Sequence, residues 1–499
     1  MRTACTALVC VAALVFGGAA SGALVVGVND DAPKDPTLAS WFYSTMVSEG
    51  LGVDTLSLRW DEGDPTAIPD QDDVSQAIAA ANAAGVSVEL DLYPLHSQAF
   101  TGGSTCAPSS NPLACGNPTL IQEFGAWTAA VAAAFPTVHQ FVVMNECNQP
   151  LFLNPQWNTA GVNQSAAVCG RALAAAYDAL KGVSASNFVW GVGLSPRGND
   201  APKAASNSST SPVKFLVALG QWFGAFAAKT HRKAPLMDGL DFHPYPVPQS
   251  LPFATGYANP NDASVTNLPR IYQAFYNGFK GTPQKTIGQQ KGGGLPVSLN
   301  ESGIQTASTA EAAAYTGVEV SATAAGGVTG KYATQAYQAT WYGEMLNLVA
   351  CDPNVRVLNI FHLIDESALE GWQSGLYFAN QTPKQSAQVV KSFIAGGEKC
   401  VGKVARWFPA PVATIPALPA GCVGACATAW RAVTAACQSL TATKARCRLG
   451  VAALKTELVV LQLQAAHAAA SAKAALALRI AAFKQAVVAA TTLGNALTQ

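Results

Sequence analysis

The chain has 499 residues, 49% of them apolar and only 12% charged, and its 30 basic and 30 acidic residues cancel. That composition can bury a large core, and the length allows two to four domains, although one large barrel takes roughly 250 to 400 residues. Without a basic excess or a Lys/Arg cluster, neither a nucleic-acid partner nor a basic membrane-surface helix is expected.

The first 23 residues read as a secretory signal. Arg2 supplies the charge, "ALVCVAALVF" the apolar core, and "GGAASGA" the small residues for cleavage near Ala20 to Ala23. Of the twelve cysteines, Cys5 and Cys10 leave with that segment. The others form an even set bound for an oxidising compartment, where disulfides are expected. No later segment reaches the roughly 20 apolar residues of a membrane span.

From residue 24 to about 397, short apolar runs alternate with helical patterns. The runs are "LVVGVN", "VDTLSLRW", "VSVELDLY", "HQFVVMNE", "NFVWGVGL", "MDGLDFHPY", "LPVSLNES" and "VRVLNIFHL". They are apolar on both faces, as parallel strands buried on both sides are. The helical segments between them include "LASWFYSTMVSEG", "DDVSQAIAAANAAG" and "YATQAYQATWYGEMLNLVA", and several stop at Gly. Eight strand–helix units in one series predict an α/β fold, a (β/α)8 TIM barrel over 24–400. The rival, a doubly wound sheet with a phosphate-binding turn, lacks its GxGxxG after the first strand, where "VVGVNDDAP" stands. Residues 401–421, rich in proline, predict an extended linker, and the Ala-rich 422–499 a helical C-terminal extension.

A barrel of this kind carries its site at the C-terminal ends of its strands. Those ends bring Arg59 and Trp60 on the second strand, Asp91 and Tyr93 on the third (with His96 in its loop), and Asn145 and Glu146 on the fourth. The sixth ends on Asp241, His243 and Tyr245, the seventh on Asn300 and Glu301, and the eighth on Phe361, His362, Asp365 and Glu366. Carboxyl groups among aromatic faces suit sugars. Two glutamates, each closing an apolar strand after an Asn, suit hydrolysis of a glycosidic bond, which needs two carboxyl groups flanking it. Taken singly, a strand-end Glu is more often a solvated rim residue.

On "NE" at 145–146, Glu301, Arg59 and "HPY" at 243–245, the chain resembles the retaining (β/α)8 glycoside hydrolases of the 4/7 superfamily (clan A), cellulase- or β-xylosidase-like. The resemblance implies Glu146 as acid/base, Glu301 as nucleophile, Asn145 on the sugar 2-hydroxyl, and Tyr245 and Arg59 holding Glu301 ionised. It departs at Cys147, where that clan has Pro, and at Phe361, where it has the Trp that floors the sugar subsite, with Trp372 as a loop substitute. Trp60, Tyr93, Trp157 and Trp372 are candidate sugar platforms or loop-packing residues, and His243 and His362 candidate substrate contacts. A secreted hydrolase of a poly- or oligosaccharide follows, and the alternative is a catalytically inactive carbohydrate-binding or cell-wall-associated barrel.

No cofactor and no metal are expected, since the six histidines form neither HxH nor HExxH. The serine-hydrolase GxSxG is missing too. Cys106 and Cys115 are expected to staple the loop after the third strand, and Cys351 and Cys400 to meet on the bottom face. Cys147 either pairs with Cys169 across the loop carrying Trp157 or stays a buried thiol. Cys422, Cys426, Cys437 and Cys447 belong to the tail: on one continuous helix they cluster on one face, whereas a turn near "SLTATKA" lets Cys437 and Cys447 approach. The C-terminal helices are candidates for cell-wall attachment or self-association.

Overall fold

The computed structural model describes residues 24–95, 100–101, 106, 111–202, 208–288, 294–306, 328–329, 332–368, 371–405 and 407, with isolated tail positions between 428 and 487. The signal segment, His96 and the tail cysteines lie outside the described residues.

Eight parallel strands close a barrel: β1 (Val25–Asn29), β2 (Val53–Trp60), β3 (Ser87–Pro94), β4 (Gln140–Asn145), β5 (Phe188–Leu194), β6 (Gly239–Phe242), β7 (Val297–Leu299) and β8 (Val355–Ile360). β1 pairs with both β2 and β8, which closes the ring in chain order. One helix follows each strand: α1 (Pro36–Glu49), α2 (Gln71–Ala84), α3 (Pro118–Ala134), α4 (Ser165–Val183), α5 (Pro212–Thr230), α6 (Leu268–Phe279), α7 (Gln335–Val349) and α8 (Gln385–Ala395). The fold is the predicted (β/α)8 barrel.

Local signals explain the helix starts. Asp35 caps α1 by accepting from Thr37 N, and Pro36 occupies the first turn, where its missing N–H costs nothing. Asn117 caps α3 by accepting from Thr119 N and Leu120 N. Gly50 ends α1 in the left-handed region that Gly adopts most easily.

The barrel interior is layered. Its floor is apolar: Val53, Val142, Trp190 and Val357 form one buried cluster. Above it the interior turns polar. Thr55 Oγ1 donates to Asn300 Oδ1 at 2.8 Å and lies 3.2 Å from Glu89 Oε2, while Asn359 Nδ2 donates to Asn300 Oδ1 at 2.7 Å. These residues sit inside because side chains alternate faces along a strand.

The same alternation corrects one expectation. With Thr55 inward on β2, Trp60 points outward. It is fully buried between the barrel and α3, against Phe100, Phe124 and Trp127 at centroid distances of 6.5, 5.8 and 6.4 Å, and its Nε1 donates to Asp64 O. Trp60 is a core residue, not a sugar platform.

Three disulfides form: Cys106–Cys115, Cys147–Cys169 and Cys351–Cys400. The chain stays on the barrel a little past Cys400. Ala405 N donates to Cys351 O, and Trp407 meets Tyr272 edge-on at 5.7 Å. The described tail residues, among them Lys455, Leu458, Ile480 and Lys484, have helical backbone. Among the described residues, no helix is long and apolar enough to cross a membrane.

Trp60→Ala is expected to destabilise the barrel by about 3–5 kcal/mol, the cost of emptying a large aromatic site. Urea unfolding measures that loss. A folded variant with unchanged stability and a sharply raised KM would return Trp60 to the binding site.

Candidate active site

β4 stops abruptly at the mouth of the barrel. Met144 and Glu146 both have left-handed backbone, with φ of 71° and 38°, on either side of Asn145. Non-glycine residues rarely hold that conformation unless their surroundings enforce it, and such strain concentrates at functional sites. Here Glu146 N donates to Gly193 O on β5. The next residue is tied down by the Cys147–Cys169 bond, and Cys147 O accepts from Gln156 Nε2 at 2.8 Å. Asn148 then bridges to the end of β5, donating to Ser195 O and accepting from Ser195 N, both at 3.0 Å. Closing the 22-residue separation is worth about 3 kcal/mol in a chain-entropy account.

Glu301 follows β7. Tyr245 Oη donates to its Oε2 at 3.1 Å, and Asn29 Nδ2, from the end of β1, reaches its Oε1 at 3.5 Å. Tyr245 is set by Tyr257, whose hydroxyl donates to Tyr245 O at 2.9 Å.

The two glutamates meet on one atom. His243 Nδ1 lies 3.2 Å from Glu146 Oε1 and 3.5 Å from Glu301 Oε2, so those oxygens are at most about 7 Å apart. The imidazole is completely enclosed, while the glutamate side chains keep 16% and 14% of their surface open toward the mouth. Asp241, two residues back on β6, lies 3.4 Å from Nε2 on the other edge of the ring.

Burial and charge set the protonation states. Glu301 is raised to about 7: burial raises it most, with Glu146 and Asp241 adding to the rise, and the His243 charge and the Tyr245 hydrogen bond oppose it. Burial alone would lower His243, but Glu301, Asp241 and Glu146 outweigh it and hold the imidazole well above its usual range. Burial carries Asp91 well above the carboxylate range, and Glu89 up to about 8. At neutral pH the inner carboxyls are therefore mostly protonated, and the imidazolium balances the outer ones.

Aromatic rings stand beside Glu301. Tyr245 lies 5.2 Å from Trp372 and 6.1 Å from Phe361, and Phe361 meets Trp372 edge-on at 5.5 Å. Trp372 is 36% exposed, so this wall has an open face. Across the mouth, Tyr93 packs edge-on against Phe152 at 5.8 Å.

The remaining expected residues are distributed as follows. Asp91 and Asn145 are buried, and Asp91 Oδ1 and Asn145 Oδ1 have no hydrogen-bond partner among the described residues. Arg59 is exposed, and its charge acts on the Tyr93 hydroxyl, so the cation beside Glu301 is His243 rather than Arg59. Trp157 is half-buried in the β4–α4 loop, with an unpartnered Nε1. His362 is buried, and burial together with the Lys384 charge depresses it to about 3, so it is neutral. Among the described residues, no group of His, Cys, Asp and Glu could hold a metal ion.

No family model and no curated protein matches the chain. Solved structures do. The structures it resembles are glycoside hydrolases. One is a family 39 glycoside hydrolase from the gut symbiont Bacteroides cellulosilyticus WH2, with 15% identity over 74% of this chain and 63% of that one and a TM-score of 0.48. Another is a GH5_18 enzyme from Streptomyces cattleya in complex with GlcNAc, with 12% identity over 79% and 84% and a TM-score of 0.48. A third is a β-D-glucuronidase of Dictyoglomus thermophilum, with 10% identity over 77% and 52% and a TM-score of 0.43. The chain spans less than two thirds of the first and third of these proteins.

Asn29 and Glu89 were not among the expected site residues, and Asp241 was expected only as a strand-end residue without a role. The signal for each was present: "LVVGVND" also ends on polar residues, and Glu89 and Asp241 fall on the inward parity of their strands.

Two outcomes follow. Glu301 and Glu89 bind protons more tightly in the folded state, so their contribution to stability is complete below about pH 4.5 and is lost as pH rises through about 7 to 8; the raised His243 acts in the same direction. Urea midpoints are expected to be higher at pH 5 than at pH 8; a higher midpoint at pH 8 would refute the buried-acid description. Tyr245→Phe removes a bond that favours ionised Glu301. The acid limb of kcat/KM is expected to move to higher pH, and kcat to fall about tenfold, the loss typical of a hydrogen bond to a charged group.

Proposed function

We propose that the protein is a secreted retaining glycoside hydrolase that cleaves O-glycosidic bonds of a poly- or oligosaccharide by double displacement. The observation that carries this reading is the shared contact of Glu146 and Glu301 on His243 Nδ1. It holds two carboxyl groups face to face at the barrel mouth, within about 7 Å. Retaining pairs stand about 5–5.5 Å apart and inverting pairs about 6.5–9.5 Å, so this bound accommodates the first and leaves out most of the second.

In the first step Glu301 attacks the anomeric carbon as a carboxylate. The carbon–oxygen bond to the leaving group breaks, and Glu146 gives that oxygen its proton. In the second, Glu146 takes a proton from water, whose oxygen attacks the same carbon and frees Glu301. The net reaction consumes one water. Tyr245 and His243 orient Glu301 and favour its ionised form. Asn145, from the strained end of β4, is positioned for a sugar hydroxyl, and Tyr245, Phe361 and Trp372 offer ring faces to the sugar. The Cys147–Cys169 bond and the two further disulfides fit an extracellular protein. A barrel that only bound carbohydrate would have no use for two glutamates set on one imidazole.

The test is a screen of aryl-glycosides and cell-wall polysaccharides with wild type, Glu301→Gln and Glu146→Ala. Glu301→Gln is expected to lose turnover on every substrate. Glu146→Ala is expected to lose on the order of 10²–10⁴-fold on poor leaving groups. On activated aryl-glycosides it should be partly rescued by azide, which needs no general base. NMR of the first product should show the retained anomer. Because Glu301 must be ionised and burial has pushed it up, kcat/KM should rise with pH through about 7. Full activity of Glu301→Gln, or an inverted first product, would sink the mechanism.

A further inference from the structure

The proposed reaction uses the Nδ1 edge of His243 and leaves the other edge unexplained. Nε2 faces Asp241 Oδ2 at 3.4 Å, an ionic contact rather than an aligned hydrogen bond. Neither atom has a hydrogen-bond partner among the described residues. Asp241 is itself held in place. Its Oδ1 accepts from Phe242 N at 2.9 Å and from Asn300 N at 3.1 Å, so Oδ2 is the oxygen turned to the ring.

The neighbouring strand makes room for this pair. A Cβ at Gly193 on β5 would stand 2.5 Å from His243 Nε2, an approach that real side chains essentially never make, and a tight 3.0 Å from Asp241 Oδ2. Only glycine lets the ring and the carboxyl lie against β5.

The ring is therefore bracketed. Glu146 from β4 and Glu301 from β7 face one nitrogen, Asp241 from β6 faces the other, and Asp91 from β3 also feels its charge. A neutral imidazole has one N–H and serves one edge only. Carboxyl groups at both edges favour a ring with both nitrogens protonated.

We propose that Asp241 is a positioning residue that keeps His243 doubly protonated, so that the single Nδ1–H follows the negative charge as it passes from Glu301 to Glu146 during catalysis. This rests on the double-displacement reading above. The proposed reaction starts with Glu301 as the anion and the proton on Glu146. In the glycosyl-enzyme Glu301 is an ester and Glu146 is the anion. The imidazolium keeps its charge throughout, and no proton leaves His243; only the acceptor of the Nδ1–H changes. The distances suit such an exchange, because 3.2 and 3.5 Å are nearly equal and neither contact is short. Without Asp241 the ring would surrender its Nε2 proton, and the Nδ1–H would lose the positive charge that strengthens its bond to whichever glutamate is ionised.

The experiment is NMR of ¹⁵N-histidine-labelled full-length protein, wild type and Asp241→Asn, alongside steady-state kinetics. In wild type both His243 ring nitrogens should stay protonated from about pH 6 to about pH 8, where an ordinary histidine is losing its proton. In Asp241→Asn the ring should titrate at least about one pH unit lower. Its kcat should fall on the order of 10- to 100-fold, the size seen when the partner of a functional imidazole is removed, with KM within about twofold. An Asp241→Asn ring that titrates as in wild type overturns the proposal, whatever its activity. If that variant does not fold, the wild-type titration decides: a neutral ring near pH 7 overturns the proposal and a doubly protonated one supports it. The two readings fail separately. Loss of the titration difference with intact hydrolysis removes Asp241, whereas wild-type turnover by Glu301→Gln removes the mechanism on which both rest.

Discussion

One buried cation organises the mouth of this barrel. His243 is fully enclosed, yet it touches carboxyl groups from β4, β6 and β7. Burying several acids in one interior is costly unless each is paired or neutralised. The protein uses both routes. Glu89 and Asp91 are pushed up by burial and carry protons, whereas Glu146, Glu301 and Asp241 gather around the imidazole. The layering follows from this: apolar at the floor, neutral and hydrogen-bonded in the middle, charged only where the mouth opens.

A reactive pair must also be held still, and the loops do that. The chain after Glu146 is fixed within two residues by a disulfide and by the buried side chain of Asn148. Cys147, which departs from the proline of the resembling enzymes, thus replaces a stiff residue with a stiff cross-link. On the opposite side, Asp30 Oδ2 accepts from Leu363 N at 2.9 Å and Ile364 N at 3.1 Å, clipping the end of β1 to the end of β8. That clip adjoins Asn29, which reaches Glu301, and Phe361, which borders Tyr245. Glu301 is therefore referenced to both seams of the closed barrel.

Most of this was legible in the sequence. Eight doubly apolar runs with helices between them call for a parallel sheet covered on both faces, and the missing GxGxxG after the first strand favours the barrel over the doubly wound sheet. Barrel geometry then turns each strand's last residues into site candidates, which is how Glu146, Glu301, His243 and Tyr245 were found. What failed was parity. Trp60 ends β2 as Tyr93 nearly ends β3, but alternation sends it outward into α3, and the last residue of a strand does not announce its face. Glu89 was passed over for the opposite reason. It lies inside an apolar run, where a polar residue reads as an irregularity unless its inward register is counted. Arg59 shows a further limit. Its strand position was right, but long side chains carry charge away from their Cα, and His243 supplies the cation that Arg59 was expected to provide.

The aromatic wall shows how such a site tolerates an unusual residue. A single indole on β8 would present one broad face at a position set by the barrel itself. Here Phe361 stands at the strand end, and Trp372 comes from the loop eleven residues on, meeting it edge-on. A loop residue needs its own anchor. The loop is held by a buried ion pair, Lys384 Nζ to Asp365 at 2.6 Å, with Lys384 also donating to Gln373 O at 3.0 Å and Asp365 accepting from Gly375 N at 2.8 Å. Breaking one partner of such a pair leaves a buried charge uncompensated, so the pair is intolerant of change. The position of Trp372 therefore depends on Lys384, at the start of α8 and beneath the loop rather than in the cleft. The geometry of this wall is sensitive to a lysine that is not part of it.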